Sequence, residues 1–171
     1  MTIEIVPWDP QWPGRFESER RSIAELLRPW IVADIEHIGS TAVPGLAAKP
    51  VIDIMAPVAS LPESLDAIAA AATIGYLHYP YKPDLMHWLC KPSPRFRTHH
   101  LHLVPYRSGL WFERLAFRDA LRSDIRLCSE YAALKRRLAA EAGHDREAYT
   151  DGKTDFIQRV LAGNVSGGNR P

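Results

Sequence analysis

The sequence predicts one α+β domain, in which a small mixed β-sheet packs against helices and the C-terminal third is helical. The 171 residues are enough for a single domain with a sizeable core. Thirteen of the fourteen prolines lie at or before Pro105, and because proline breaks helix interiors, long helices are expected after that point. Short apolar runs bounded by Gly and Pro, which are typical of strands, occupy the first two-thirds.

The spacing of apolar residues places each element in order. Strands are predicted over residues 3–6, 31–38, 51–56, 86–91 and 97–104, with residues 3–6 at a sheet edge. Helices are predicted before Pro29, between Pro62 and Gly75, from Ser108 to Gly143, and before Gly163. Ser123-Asp124 divides the third helical stretch by capping a new helix. Residues 1–165 are taken as the domain and residues 166–171 as a disordered tail. The pattern does not specify the strand order.

Composition excludes several classes of protein. The net charge of +1 and the 46% hydrophobic content are those of an ordinary globular chain and indicate no partner class. Cys90 and Cys128 are too few for a disulfide framework and are predicted to be buried, small hydrophobic residues. No apolar run is long enough to span a membrane, and no signal peptide is evident. We therefore expect a cytoplasmic protein without a membrane partner.

Gly39, Ser40 and Thr41 follow the strand predicted over residues 31–38. Glycine permits a positive φ and a close approach of the backbone to another group. The two hydroxyls and the turn amides can donate to a phosphate. A Gly-Ser pair after a strand is also an ordinary turn. The tripeptide therefore predicts either a plain turn or part of a substrate-binding site.

Asp53 is the one carboxylate inside the apolar run of residues 51–56. Because side chains alternate along a strand, Asp53 shares a face with Val51 and Met55. An ionised carboxylate on a buried face is costly unless it is paired or binds a metal. Asp53 is therefore expected either to pair with a cation, such as Lys49 or a histidine, or to bind metal or substrate at an open cleft.

The run THHLHLV, residues 98–104, places His100 and His102 on one face of a strand and His99 on the other. Two imidazoles at this spacing can bind one metal ion, position a phosphate, or serve as acid and base near neutral pH. The alternative is that these histidines line a half-exposed strand without chemistry.

Charge is skewed locally. Residues 76–107 contain one acid, Asp84, and five basic residues, which are Lys82, Lys91, Arg95, Arg97 and Arg107. Such a segment suits an anionic ligand, such as a nucleotide or phosphoester, or it is a solvated hairpin. It lacks the long basic run with interleaved aromatics of a nucleic-acid platform, so a nucleic-acid partner is not expected.

Two further lysines lie in the helical third. Lys153 has few charged neighbours in sequence and is interpreted as facing a cleft. Lys135 stands beside Arg136 and Arg137 and is predicted to lie on a solvated helix face.

The run HIGSTAVPGLAAKPVIDI, residues 37–54, closely resembles the signature of the GrpB family of bacterial proteins. The resemblance continues through residues 100–104, 115–122, 131–135 and 153–157. It implies a fold of the nucleotidyltransferase superfamily, like that of DNA polymerase beta. Some members of the family are fused to dephospho-coenzyme A kinase, which points to nucleotide metabolism.

The superfamily pattern is a Gly-Ser turn followed by Asp-x-Asp/Glu on the next strand, with a further carboxylate on a later strand. Gly39-Ser40 and Asp53 match it. Met55 stands at the second carboxylate position, and His100 or His102 stands where the later carboxylate is expected. One carboxylate with two imidazoles suits Zn²⁺, Mn²⁺ or Fe²⁺ better than Mg²⁺.

The resemblance and the residues together imply a metal-dependent, nucleotidyltransferase-like enzyme acting on a nucleotide or phosphoester. Asp53, His100 and His102 are the expected catalytic residues and the ligands of a divalent metal, which the sequence does not narrow to Zn, Mn or Mg. The expected substrate-binding residues are Gly39, Ser40, Thr41, Lys49, Lys91, Arg97 and Lys153.

Two alternatives remain open. One is a noncatalytic member of the fold that binds a nucleotide or a protein partner, as the loss of a carboxylate at Met55 suggests. The other is a nucleotide hydrolase similar to the histidine-triad proteins, although Thr98 replaces the first of the three alternating histidines. The oligomeric state is not predicted.

Overall fold

A computed structural model describes residues 3–143 and 145–167. Five strands form one sheet: β1 (Glu36–Ile38), β2 (Ile52–Val58), β3 (Leu77–His78), β4 (His87–Pro92) and β5 (Arg97–Pro105). The helices are α1 (Trp12–Leu26), α2 (Leu65–Ala72), α3 (Gly109–Ser123), α4 (Ile125–Ala142), α5 (Arg146–Asp151) and α6 (Thr154–Gly167). Short 3₁₀ turns span Ser40–Ala42 and Pro62–Ser64.

The strands lie in the order β1-β2-β5-β4-β3. Strands β2 and β5 are parallel, and the other three neighbouring pairs are antiparallel. In this register Asp53 lies opposite His100, and Met55 lies opposite His102. Because opposed residues of neighbouring strands project to the same face of a sheet, the register brings Asp53 and both histidines to one face.

Helices α1 and α2 cover the other face. Apolar residues of β2 and β5, including Ile54 and Leu101, pack there against Ile23 and Leu27 from the α1 region. This alternation explains why residues 52–58 look like a core strand in sequence. One side of the strand fills the core, while the other side carries Asp53.

Helix α3 covers part of the face that carries Asp53. Its residues Leu110 and Trp111 pack with Met55, Trp88 and Val104 of the sheet. Helices α4 and α6 form a further layer on α3 and on the loop after β1, through residues that include Leu121, Tyr131, Phe156 and Leu46.

The α+β class, the mixed sheet and the helical C-terminal third are confirmed. The predicted division of the third helical stretch is also found, because Asp124 caps α4 by accepting from the amides of Arg126 and Leu127. Cys90 and Cys128 are buried, and neither forms a disulfide with a described residue. No helix in the described ranges is long and apolar enough to cross a membrane. The cytoplasmic location stays a prediction.

Several predicted boundaries were wrong. Within residues 3–6 only Val6 pairs, as an isolated bridge to Ala48. Within residues 31–38 the strand is limited to Glu36–Ile38, with an isolated bridge at Ile31. Strand β3 was missed because both of its side chains are exposed. The sequence there lacks the alternation of apolar and polar residues that indicates a strand. The tail predicted over residues 166–171 overlaps the end of α6 and otherwise lies outside the described residues.

The core can be tested by truncating one buried side chain of β5. Leu101 is fully buried, so Leu101→Ala should lower the free energy of unfolding by about 2–5 kcal/mol through lost burial and a residual cavity. Urea denaturation measures the change. The control is Ile125→Ala at the exposed start of α4, which should alter stability by less than about 0.5 kcal/mol. Equal losses in both variants would contradict this account of the core.

Candidate functional site

Asp53 lies between two histidines on the partly covered face of the sheet. The Nδ1–H of His100 donates to Asp53 Oδ1 at 2.8 Å, and the Nε2–H of His102 approaches the same oxygen at 3.3 Å. An ionised carboxylate only accepts hydrogen bonds, so each ring carries its hydrogen on the nitrogen that faces Asp53. The three residues can each offer one ligand atom, and these atoms lie within 4.8 Å of one another.

The cluster is half-open to solvent. The exposed fractions of the side chains are 26% for Asp53, 19% for His100 and 7% for His102. The Nε2 atom of His100 is buried and has no hydrogen-bond partner among the described residues. On His102 the second ring nitrogen, Nδ1, lies 3.4 Å from the sulfur of Met86. Each histidine therefore has a second ring nitrogen whose lone pair accepts no hydrogen bond from the described residues.

Electrostatics fix the protonation states of the cluster. Burial alone would raise the pKa of the Asp53 carboxyl, but the neighbouring His100 and His102 hold that pKa well below its usual range. Burial lowers the pKa of His102 to about 4, against the opposing hydrogen bond to Asp53. Near neutral pH a carboxylate thus lies beside a neutral imidazole, and these are the forms that bind metal ions.

Gly39 lies directly against the carboxylate. Its φ is +72°, and a Cβ placed there would lie 2.5 Å from Asp53 Oδ2. A side chain at this position would therefore both strain the backbone and displace the carboxylate. This close approach explains why a glycine precedes Ser40.

Buried bonds fix the loop that follows β1. His37 Nε2 lies 3.0 Å from the hydroxyl of Thr41, and that hydroxyl donates to the carbonyl of Val51. From α3, Arg118 donates to the carbonyl of His37, and Arg122 donates to that of Ala42. The loop that carries Gly39 and Ser40 is thereby attached to both β2 and α3.

Two cations from the helical third lie within electrostatic range of the cluster. Burial lowers the pKa of Lys153 to about 8, while the charge of Asp53 acts in the opposite direction. Arg114 on α3 lowers the pKa of both Lys153 and His102. Neither Lys153 nor Arg114 forms an ion pair with the described residues. Their charges are therefore available to an anionic group beside the cluster.

Two tyrosines contact lysine side chains in this region. Burial raises the pKa of Tyr131, and the Ser40 side chain partly offsets that rise. The ammonium of Lys135 lies 4.8 Å from the centre of the Tyr131 ring. The ammonium groups of Lys153 and Lys49 lie 4.4 Å and 3.8 Å from the centre of the Tyr149 ring. Contacts of this kind hold a cation in place without neutralising it.

The sequence matches a known protein family over nearly its whole length. The family model described as GrpB protein matches residues 2–163. The chain belongs to the GrpB family. A UPF0157 protein of Pseudomonas aeruginosa is 39% identical over 99% of this chain and 70% of its own length. A UPF0157 protein of Deinococcus radiodurans is 35% identical over 93% of this chain and 81% of its own length. The resemblance predicted from residues 37–54 is confirmed.

Solved structures agree with the fold. The crystal structure of the conserved protein GrpB from Enterococcus faecalis aligns with a TM-score of 0.82 and 30% identity, over 92% of this chain and 94% of that one. A chain of the GLD-2/RNP-8 complex aligns with a TM-score of 0.55 and 14% identity, over 89% of this chain and 58% of that one. The second likeness concerns the fold alone, and both agree with the predicted single α+β domain.

Some of the residues expected to bind substrate in this GrpB chain lie near the Asp53 cluster, and others lie away from it. Gly39 lies directly against Asp53, Lys153 is within electrostatic range of Asp53, and Lys49 lies against Tyr149. Ser40 follows Gly39 in the same loop. The guanidinium of Arg97 lies 4.8 Å from the centre of the Trp88 ring, which in turn contacts His100.

Two of the expected residues lie apart from the cluster. The hydroxyl of Thr41 is buried and holds the loop after β1 in place through its contacts with His37 and the carbonyl of Val51. Lys91 lies on the opposite face of the sheet, where it pairs with Glu19 of α1 and contacts the ring of Tyr76.

Sequence reasoning missed Arg114, Tyr131 and Lys135. Lys135 was predicted on a solvated face, but it is buried and donates to the carbonyl of Ala47. It follows Tyr131 by four residues, and that helical spacing was the available signal, because Tyr131 and Lys135 occupy one face of α4.

Gly39→Ala tests the close approach to Asp53. Gly45 has a similar φ of +79° with open space around its Cβ position, so Gly45→Ala is a matched control for backbone strain. Each variant should lose about 1–3 kcal/mol of stability from that strain. Gly39→Ala should lose more, since it also displaces the carboxylate, as measured by chemical denaturation. Equal losses would contradict the contact.

His37 should make stability depend on pH. Burial lowers its pKa in the folded protein from 6.5 to about 4, so the unfolded chain binds the extra proton between these values. The free energy of unfolding should therefore fall as pH drops from 6.5 to 4, with His37 contributing up to about 1.4 kcal/mol per pH unit. His37→Gln retains a polar group for Thr41 and should flatten the dependence. An unchanged slope would show that His37 is not buried as a neutral ring.

Proposed function

We propose that this GrpB protein is a metal-dependent enzyme that transfers a phosphoryl or nucleotidyl group from a nucleotide or other phosphoester. The observation that carries the proposal is the convergence of Asp53, His100 and His102 on the partly covered face of the sheet, with their ligand atoms within 4.8 Å of one another. Unpaired cations beside this cluster supply the complementary feature that a phosphate requires.

The donor set fits one transition-metal ion better than two Mg²⁺ ions. A pair of Mg²⁺ ions needs several oxygen ligands, whereas the cluster offers one carboxylate and two imidazoles. Met55, at the second carboxylate position of the superfamily pattern, is fully buried in the apolar cluster under α3. Zn²⁺, Mn²⁺ or Fe²⁺ is therefore the expected ion.

The residues around the cluster have distinct tasks in this proposal. When bound, the metal would polarise a phosphoryl oxygen and stabilise the charge that develops on it. Lys153 and Arg114 would bind the remaining phosphate oxygens through their unpaired charges. Ser40 would donate its hydroxyl from the loop that Gly39 holds against Asp53. Tyr131, whose burial-raised pKa the Ser40 side chain partly lowers, would orient that hydroxyl.

One observation favours the noncatalytic alternative. The burial of Met55 leaves β2 with a single carboxylate, so the site has fewer acidic ligands than the superfamily pattern contains. A protein that kept phosphate binding and lost turnover would show the same geometry. Asp53 would then contribute to ligand binding or stability only.

The geometry disfavours a histidine-triad hydrolase. Such an enzyme needs a histidine nitrogen that can reach phosphorus. In His100, Nδ1 is engaged by Asp53, and Nε2 is buried from solvent. Thr98, at the first alternating position, bonds the carbonyl of Lys91 and the ring of His99.

Metal titration with turnover assays tests the proposal. Zn²⁺ and Mn²⁺ should each bind the purified chain in a 1:1 ratio by isothermal titration calorimetry. Asp53→Asn should weaken that binding at least tenfold, because it removes the single anionic ligand. Release of pyrophosphate or phosphate from ribonucleoside triphosphates, measured with each metal, should depend on Asp53 to the same extent.

His99→Gln is the matched control. His99 neighbours His100 in sequence but projects to the opposite face of the sheet. His100→Gln should weaken metal binding, and His99→Gln should not. Metal and nucleotide binding without turnover under any condition would favour the noncatalytic alternative. Unchanged metal binding in Asp53→Asn would overturn both.

A further inference from the structure

We infer that the open end of the sheet face that carries Asp53 binds the nucleobase of the substrate. The surface consists of Tyr79, Tyr81, Trp88 and Arg97, and we call it the aromatic strip. The inference rests on the proposed function and narrows its substrate from a phosphoester to a nucleotide.

The aromatic strip is continuous with the candidate metal cluster. The centre of the Trp88 ring lies 4.8 Å from that of His100 and 6.5 Å from that of His102. The rings of Tyr79 and Tyr81 contact Trp88 edge-on, at 6.1 Å and 6.2 Å between centres. A line of aromatic rings thus leads from the candidate metal ligands toward the edge of the sheet.

The outer rings of the strip are open to solvent. Tyr79 is 49% exposed and Tyr81 is 37% exposed, whereas Trp88 beneath them is buried. The Tyr79 amide donates to the carbonyl of Trp88, which fixes the start of the loop against β4. Large aromatic side chains left exposed together on a fixed backbone indicate a binding surface rather than ordinary surface composition.

The positive charges beside the aromatic strip indicate the kind of ligand that it binds. The guanidinium of Arg97 lies over Trp88, and the ammonium of Lys82 lies 5.6 Å from the centre of the Tyr81 ring. An aromatic surface bordered by cations suits a ligand that is both planar and anionic. A nucleotide has these properties, with its base on Tyr79 and Tyr81 and its phosphates directed toward Asp53, Arg114 and Lys153.

The stacking of the base can be tested separately from phosphate binding. The probes are the four ribonucleoside triphosphates and inorganic tripolyphosphate, which carries a similar charge and has no base. The wild-type chain should bind at least one triphosphate about tenfold more tightly than tripolyphosphate. The double variant Tyr79→Ala/Tyr81→Ala should lose this difference and retain the affinity for tripolyphosphate. Both side chains lie at the surface and neither is buried, so the variant should fold, as circular dichroism will show.

Tyr106→Ala is the matched control. Tyr106 is 38% exposed and also lies beside an arginine, Arg107, but it contacts Trp111 rather than Trp88. This variant should bind every probe as the wild type does. Equal affinity of the wild type for tripolyphosphate and all four nucleotides would overturn the inference and leave the proposed phosphate site intact. So would unchanged nucleotide affinity in the double variant. Absence of binding by tripolyphosphate and nucleotides alike would overturn both proposals.

Discussion

The candidate site depends on the position of one carboxylate, that of Asp53, between two imidazoles from the neighbouring parallel strand. The β2–β5 register places Asp53 opposite His100 and two register pairs away from His102, on the same face of the sheet. An unpaired charge on this face would be costly to desolvate, and the two imidazoles provide the hydrogen bonds that offset the cost. Gly39 completes the arrangement, because only a residue without a side chain fits against Asp53 Oδ2.

The two faces of the sheet have different roles: one is packed into the core, and the other carries the polar groups of the candidate site. Helices α1 and α2 close one face over apolar residues, and this packing forms the largest cluster of buried side chains. The other face is closed by α3 at one end only, which leaves Asp53 accessible and the aromatic rings of Tyr79 and Tyr81 exposed. The helical third then brings Arg114 and Lys153 within electrostatic range of the cluster. A single sheet thus supports the fold and presents the polar groups.

Local patterns in the sequence predicted most of the strands, the helices and the cap at Asp124, because burial and capping impose spacings that are visible within one segment. They also predicted that His100 and His102 share a face. Strand β3 escaped detection because its exposed residues carry no apolar period. The placement of Lys91 and Lys135 depends on contacts with Glu19 and Ala47, which lie 72 and 88 residues away along the chain. Contacts at such separations are set by the tertiary fold, and no local window contains them.

The central claim is that Asp53, His100 and His102 hold one divalent metal ion. Anomalous diffraction from crystals grown with Zn²⁺ or Mn²⁺, recorded on both sides of the metal absorption edge, tests it most directly. The account predicts one anomalous peak within about 2.0–2.2 Å of a carboxylate oxygen of Asp53 and of one nitrogen from each histidine. A fully occupied peak elsewhere, with the hydrogen bonds of Asp53 to both histidines intact, would contradict it.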